Sequence, residues 1–447
     1  MPIVDEGLGN SAYLVAVAEG RAMVVDPSRD PWPYLRAAEA RGLAIAWVVE
    51  THLHADFVSG ARELGTAGAG LLAPRAATLG FPHRGLDDGD EVDLGGLTLR
   101  ALATPGHTPE HLAYLLLDGG RPLAVFTGGA LLPGSVARTD LIAPDRTEAL
   151  ARALFRAIRE RLLTLPDDVA VYPTHGPGSF CSAPADRERI TTIGRERATN
   201  PLLAAPDEDA FVRALLASLG SYPPYFLRLR EVNRRGPRVL GSRPPGLRPL
   251  GPAEVRRLLA EGAELVDVRP IRDFARGHVP GALSIELRPS FPTWLGWLVP
   301  PDRPLVFALD PDQDRAELAW ACLKVGYEDL AGELAGGMEG WRAAGLGERR
   351  LPVVAAERLG RARVLDVRQR SEFLEGHLPG AVHVELGSLE GAGDLPGGPL
   401  AVMCAHGQRA TTAASLLERA GRTDVTVVVG GPGEWSAATG IALERSG

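Results

Sequence analysis

Two short stretches carry residue types that do chemistry. The first is Thr51-His52-Leu53-His54-Ala55-Asp56-Phe57, which follows the apolar run Ala44-Ile45-Ala46-Trp47-Val48-Val49. A buried strand that empties into a loop of His and Asp is a way to present metal ligands. His52 and His54 lie two apart, so in an extended loop their imidazoles point the same way. Thr104-Pro105-Gly106-His107 and Tyr172-Pro173-Thr174-His175 add two more histidines. Three imidazoles suffice for a His₃ ion site of the zinc kind.

The second stretch is Cys404-Ala405-His406-Gly407-Gln408-Arg409, between the apolar run Leu400-Ala401-Val402-Met403 and the helical pattern from Ala410 to Ala414. A cysteine at a strand-to-helix junction has backbone N–H groups and the positive helix end aimed at its sulfur. Both favour a thiolate and would stabilise a bound persulfide or other anion. Arg409 adds positive charge, and Gly407 permits the tight curl of the backbone. A buried, inert thiol is the alternative. Cys181, in the glycine-rich loop after His175, is a candidate second thiol that faces the metal mouth, with a plain buried thiol again the alternative. Cys322 lies in the apolar helical stretch Leu318 to Leu323 and reads as core.

The elements that must position these residues follow from the pattern. Short strands alternate with turns and helices from residue 1 to about 200, and four strand ends carry His52 and His54, His107, Gly129 and His175. Residues 206–245 read as a connector with one helix (Glu208 to Leu219) and the prolines Pro223, Pro224, Pro237, Pro244 and Pro245. The remainder is a duplication. Leu265-Val266-Asp267-Val268-Arg269 returns as Val364-Leu365-Asp366-Val367-Arg368, and Phe274 to Ala282 returns as Phe373 to Ala381, both at an offset of 99 residues (267 to 366, 282 to 381). Gly336-Gly337…Trp341 and Gly430-Gly431…Trp435 close the two copies. In the first copy Leu309 stands at the cysteine position and the loop Asp310-Pro311-Asp312-Gln313-Asp314 is acidic, so that copy is expected to be structural or a docking module.

Composition narrows the partners. The chain of 447 residues is 45% apolar and 23% charged, ordinary values for a globular protein. A net charge of −8 without a basic tract argues against nucleic acid as a partner. No apolar run reaches a membrane span, and Met1 to Glu6 lacks the regions of a signal peptide, so a cytoplasmic protein is expected. Three widely spaced cysteines make no disulfide framework.

Asp-Val-Arg, Gly-His-x-Pro-Gly-Ala, Cys-x-x-Gly-x-Arg and Gly-Gly-x-x-x-Trp occur in order over residues 350–445, which resembles the rhodanese family. The resemblance implies sulfurtransferase chemistry: Cys404 carries sulfane sulfur as a persulfide, held by Ala405, His406, Gly407, Gln408 and Arg409. The N-terminal motifs resemble the metallo-β-lactamase fold, in its persulfide dioxygenase branch fused to rhodanese repeats. Ala137 to Leu141, Gly176 to Cys181 and Thr192 to Pro201 also match that branch. The implied architecture is an αββα sandwich over 1–205, the connector, a rhodanese-like α/β domain over 246–348 without the cysteine, and a rhodanese domain over 349–447. A single Fe(II) on two histidines and one aspartate is implied, matching His52, His107 and the acid of a Phe-Thr-Gly-Asp motif. Here that motif reads Phe126-Thr127-Gly128-Gly129, and Phe57 replaces the last histidine of the first motif. The remaining set is His52, His54, Asp56, His107 and His175, which leaves Fe(II), Zn or no metal open. Asp56 and Asp140 are the acids placed to substitute. His83 and His111 match no motif and are read as surface or supporting residues. The expected function is sulfur metabolism, with glutathione persulfide or thiosulfate as small-molecule partner, transfer at Cys404 and impaired persulfide oxidation. A thioester hydrolase of the glyoxalase II kind and a non-catalytic persulfide-binding protein are the alternatives, and a homo-oligomer is left open.

Overall fold

The computed structural model describes residues 1–447 apart from 183–187, 242, 361, 392–394 and 446–447. Two compact units divide it: Met1–Pro244 with Trp320–Tyr327, and Pro245–Ala319 with Glu328–Gly447.

In the first unit, two six-stranded sheets face each other. One runs in chain order through Pro2–Asp5, Asn10–Ala18, Arg21–Val25, Ala44–Val49, Gly70–Pro74 and Arg84–Leu86. The other is ordered Thr191–Thr192, Ala170–Pro173, Arg121–Gly128, Leu112–Asp118, Leu97–Ala103, Glu91–Asp93. Strand side chains alternate between faces, and the sequence uses both. Tyr13, Met23, Val25 and Val49 meet Leu99, Tyr114, Leu116 and Phe126 between the sheets. Leu14, Ala22, Val24 and Val48 point the other way, onto Tyr34 and Ala38 of helix Trp32–Glu39 and Leu64 of helix Ala61–Thr66. On the far side, Leu115, Leu117 and Val125 pack on Ala151 and Leu154 of helix Thr147–Ala157. This is the αββα sandwich.

Residues 206–245 hold more structure than a connector. Helix Glu208–Ser218, capped where Asp207 accepts from the Ala210 N–H at 2.8 Å, buries Phe211 and Leu215 in the outer core. A second helix, Phe226–Arg235, has no signature among the flanking prolines.

In the second unit, two five-stranded parallel sheets repeat one strand order. The first is Pro249–Leu250, Leu330–Leu334, Leu305–Ala308, Glu264–Asp267, Leu283–Ser284. The second is Val353–Ala355, Val425–Val429, Leu400–Met403, Val364–Asp366, Val382–His383. Central strands such as Leu305–Ala308 and Leu400–Met403 are buried at every residue, which is why they read as unbroken apolar runs. The duplicated motifs are latches. Asp267 holds Arg269, which donates to the Gly277 carbonyl at 2.9 Å; Asp366 holds Arg368, which donates to Gly376 at 2.8 Å. His278 stacks on Phe274 and His377 on Phe373, with ring centroids 3.8 and 3.7 Å apart. Among the described residues no helix is long and apolar enough to cross a membrane.

Candidate functional site

The sandwich brings His52, His54, His107, His111 and His175 into one buried cluster at the strand ends. Ligand atoms of His52, His54 and His175 lie within 4.8 Å of one another, and so do those of His107, His175 and Cys181. Each of three rings is tied back at Nδ1, which leaves Nε2 to face the cluster. His52 Nδ1 is 2.8 Å from Thr51 Oγ1, a hydroxyl whose own proton goes to Asp26. His107 Nδ1 is 2.7 Å from the Arg138 carbonyl. His175 Nδ1 is 3.1 Å from Asn10 Oδ1 and 3.3 Å from Asp56 Oδ2. Fixing one ring nitrogen by an outer partner so that the other can ligate is typical of metal-binding histidines.

The two nearest Nε2 atoms, of His52 and His175, are 3.4 Å apart. Two nitrogens on one tetrahedral ion at about 2.0–2.1 Å are separated by about the same distance. Burial, with neighbouring histidines, holds His52 and His107 well below the usual imidazole range. They are neutral, the form that binds a cation.

His54 behaves differently. Its Nε2 is 3.1 Å from Glu50 Oε2 and 3.3 Å from Asp26 Oδ1, ion-pair distances without hydrogen-bond alignment. Burial disfavours its charge, but Asp26 and then Glu50 outweigh that and raise it to about 10. The His54 ring stacks on that of Phe57, with ring centroids 4.2 Å apart.

Sequence reasoning missed the residues that hold this loop. Asn233 donates to the carbonyls of His54 and Phe57 at 2.8 and 2.9 Å and accepts from the Ser59 N–H at 2.9 Å. Arg230 pairs with Glu110, which accepts from the Leu53 N–H. Both anchors come from helix Phe226–Arg235, in the stretch read as a connector. His111 takes the supporting one of the two places read for it, buried against the ligands: its Nδ1 meets Thr104 Oγ1 and its Nε2 accepts from the Gly129 N–H at 3.0 Å. Its spacing of four from His107 was the available signal. Asp140 is forked on Arg138 at 2.7 and 2.8 Å, which removes it as a substitute ligand. Asp56 remains beside the cluster, with Oδ1 buried and unpartnered.

At the other centre, Cys404 follows strand Leu400–Met403 and precedes helix Gln408–Arg419. Gly407, at φ 106°, turns its N–H onto the sulfur at 3.1 Å. The Arg409 guanidinium is forked on Glu372 at 2.6 and 2.8 Å, so its charge toward the sulfur is shared. A cavity at this loop is lined by Gln408, Arg409 and Thr412 and, from the first repeat, by Glu286, Arg288 and Trp294. The first repeat therefore contributes to the mouth although Leu309 stands at its cysteine position. Cys322 is a core thiol that burial pushes far up.

The pattern of the metallo-beta-lactamase superfamily matches residues 5–175, and that of the rhodanese-like domain matches 251–344 and 352–438. Human mitochondrial persulfide dioxygenase ETHE1 is 30% identical over 208 residues, covering 45% of this chain and 74% of that protein. The chain belongs to the metallo-β-lactamase superfamily. Its N-terminal domain is related to persulfide dioxygenase, and two rhodanese-like domains follow. A hydroxyacylglutathione hydrolase of Acidiphilium cryptum is 30% identical over 223 residues, 46% of this chain and 89% of that one. The crystal structure of a metallo-beta-lactamase from Staphylococcus aureus covers 75% of this chain and 98% of its own, at 27% identity and a TM-score of 0.65.

Against the superfamily's motifs, the acid position is filled by Gly129. A Cβ there would lie 2.6 Å from His107 Cδ2 and 2.9 Å from Ala137 Cβ, so the His107 ring occupies the space of a side chain. The imidazoles, with the orphaned His107 Nε2 and Asp56 Oδ1, fit a divalent ion. They do not reproduce an iron triad with its acid at position 129. Gly129→Ala is expected to cost about 1–3 kcal/mol, as overpacking does, read as a lower urea midpoint. An unchanged midpoint would mean that the His107 ring retreats freely.

Proposed function

We propose that this chain is a sulfur-metabolism protein of the persulfide dioxygenase–rhodanese type, whose active sulfur carrier is Cys404. The observation that carries the reading is the Cys404 loop, a buried sulfur receiving the Gly407 N–H at 3.1 Å at the start of a helix. In the half-reaction, the Cys404 thiol gives its proton to solvent and its sulfur attacks the outer sulfur of thiosulfate. The S–S bond breaks, sulfite leaves with the electron pair, and Cys404 holds a persulfide. A nucleophile such as cyanide then takes the outer sulfur and regenerates the thiolate. Arg288 and Arg409 at the mouth suit an anionic donor.

Persulfide oxidation at the N-terminal site, iron-dependent in the related dioxygenases by resemblance, is impaired in this reading because Gly129 supplies no carboxylate. The loss of that same position and of the histidine at Phe57 weighs further against the hydrolase alternative, in which both would be needed.

Peptide mass mapping after thiosulfate treatment tests the assignment. One added sulfur atom on the Cys404 peptide, removed by cyanide as thiocyanate, is the expected result. Sulfur on Cys322 instead, or on no cysteine, would refute it.

A further inference from the structure

We propose that Cys181 is a metal ligand: its sulfur, with Nε2 of His107 and Nε2 of His175, forms a three-donor site for zinc. All three side chains are buried, and the sulfur and one nitrogen of each ring lie within 4.8 Å of one another; Nε2 is the nitrogen that the outer hydrogen bonds at Nδ1 leave for an ion. Among the described residues His107 Nε2 has no hydrogen-bond partner, and neither does Asp56 Oδ1. A buried, unpartnered imidazole nitrogen costs free energy unless something occupies the point it faces.

The arrangement around the donors is that of a supported site. Arg138 joins two of them through its backbone: its carbonyl accepts from His107 Nδ1 at 2.7 Å, and its N–H donates to the Cys181 carbonyl at 2.9 Å. The Cys181 N–H is held by Ser179 Oγ at 3.2 Å. Asn10 and Asp56 orient His175 in the same way. The rings are thus set by hydrogen bonds at Nδ1, and Cys181 by those of its backbone, outer contacts of the kind that orient ligands in metalloproteins.

The donor set also decides the class of ion. A thiolate with two imidazoles suits zinc and disfavours ions that prefer oxygen ligands. Three protein donors leave one position of a tetrahedral ion open. On binding, the Cys181 thiol loses its proton to solvent and the sulfur–zinc bond takes its place. Without a cation, burial and then Asp56 keep the thiol protonated. The Cys181 thiolate and the Asp56 carboxylate together neutralise a divalent charge.

The test is X-ray absorption at the zinc edge on the full-length protein loaded with zinc alone, with metal content measured after dialysis. The expected result is bound zinc with a sulfur shell at about 2.3 Å beside nitrogen at about 2.0 Å. The sulfur shell persists in Cys404→Ser and is lost in Cys181→Ser, whose zinc affinity falls by at least ~10–100-fold. No retained zinc, a shell of nitrogen and oxygen only, or loss of sulfur in Cys404→Ser would overturn the proposal. The wild-type spectrum alone decides against it if sulfur is missing, so poor folding of a variant does not shelter it.

Discussion

Cys404→Ser is expected to reduce thiosulfate-to-cyanide sulfur transfer to background, a loss on the order of 10³-fold or more, as when a covalent nucleophile is removed. A serine hydroxyl in the same loop would receive the Gly407 N–H in place of the sulfur. It ionises far less readily than a thiol, and oxygen does not carry sulfane sulfur as a persulfide does. The variant should fold as the wild type does, because the change removes no packed volume of consequence and Cys404 lies in the loop that ends strand Leu400–Met403. The measurement is kcat/KM for thiosulfate alongside the thermal midpoint. Full transfer with an unchanged midpoint would place the sulfur carrier elsewhere, and neither other thiol is a ready substitute. Cys322 is sealed in core, and Cys181 is pushed far up by burial and Asp56.

The sequence exposed the parts of this molecule whose chemistry is local. The rhodanese duplication was legible because its repeated residues do structural work within a few positions of one another: Asp267 with Arg269, Phe274 with His278, and their counterparts Asp366, Arg368, Phe373 and His377. The Cys404 loop was legible for the same reason, since strand, cysteine, glycine and helix are contiguous. What stayed hidden is carried by pairs far apart in the chain. Asp26 and Glu50 end neighbouring parallel strands and converge on His54 only after folding. Asn233 and Arg230, which pin the His52 loop, lie in a helix that proline density disguised as linker. Glu372 takes up the Arg409 fork from another element. A spacing rule sees ligands that share a loop, and it does not see which of them a distant carboxylate will claim.

His54 shows what that claim is worth. His54→Ala is expected to destabilise the first unit by roughly 3–5 kcal/mol, the usual cost of removing one partner from a buried ion pair. Asp26 and Glu50 would be left facing each other without the cation between them, both buried. Two further hydrogen bonds to Asp26, from the N–H and Oγ1 of Thr51, each at 2.7 Å, ease but do not replace that charge. The sign of the pH dependence follows from the direction of the shift. His54 is raised from an ordinary imidazole value near 6.5 to about 10 by Asp26 and Glu50. Its contribution is therefore complete below 6.5, where the unfolded chain is also protonated, and is lost as pH rises through about 10. Urea unfolding followed from pH 6 to pH 10 should show wild-type stability falling across that window, and the fall should be largely absent in His54→Ala. Parallel profiles for the two proteins would mean that His54 is neutral in the folded state and available to an ion alongside His52 and His175. A steeper wild-type fall with a strongly weakened variant would fix it as the structural cation of the loop and leave it out of any ion site there.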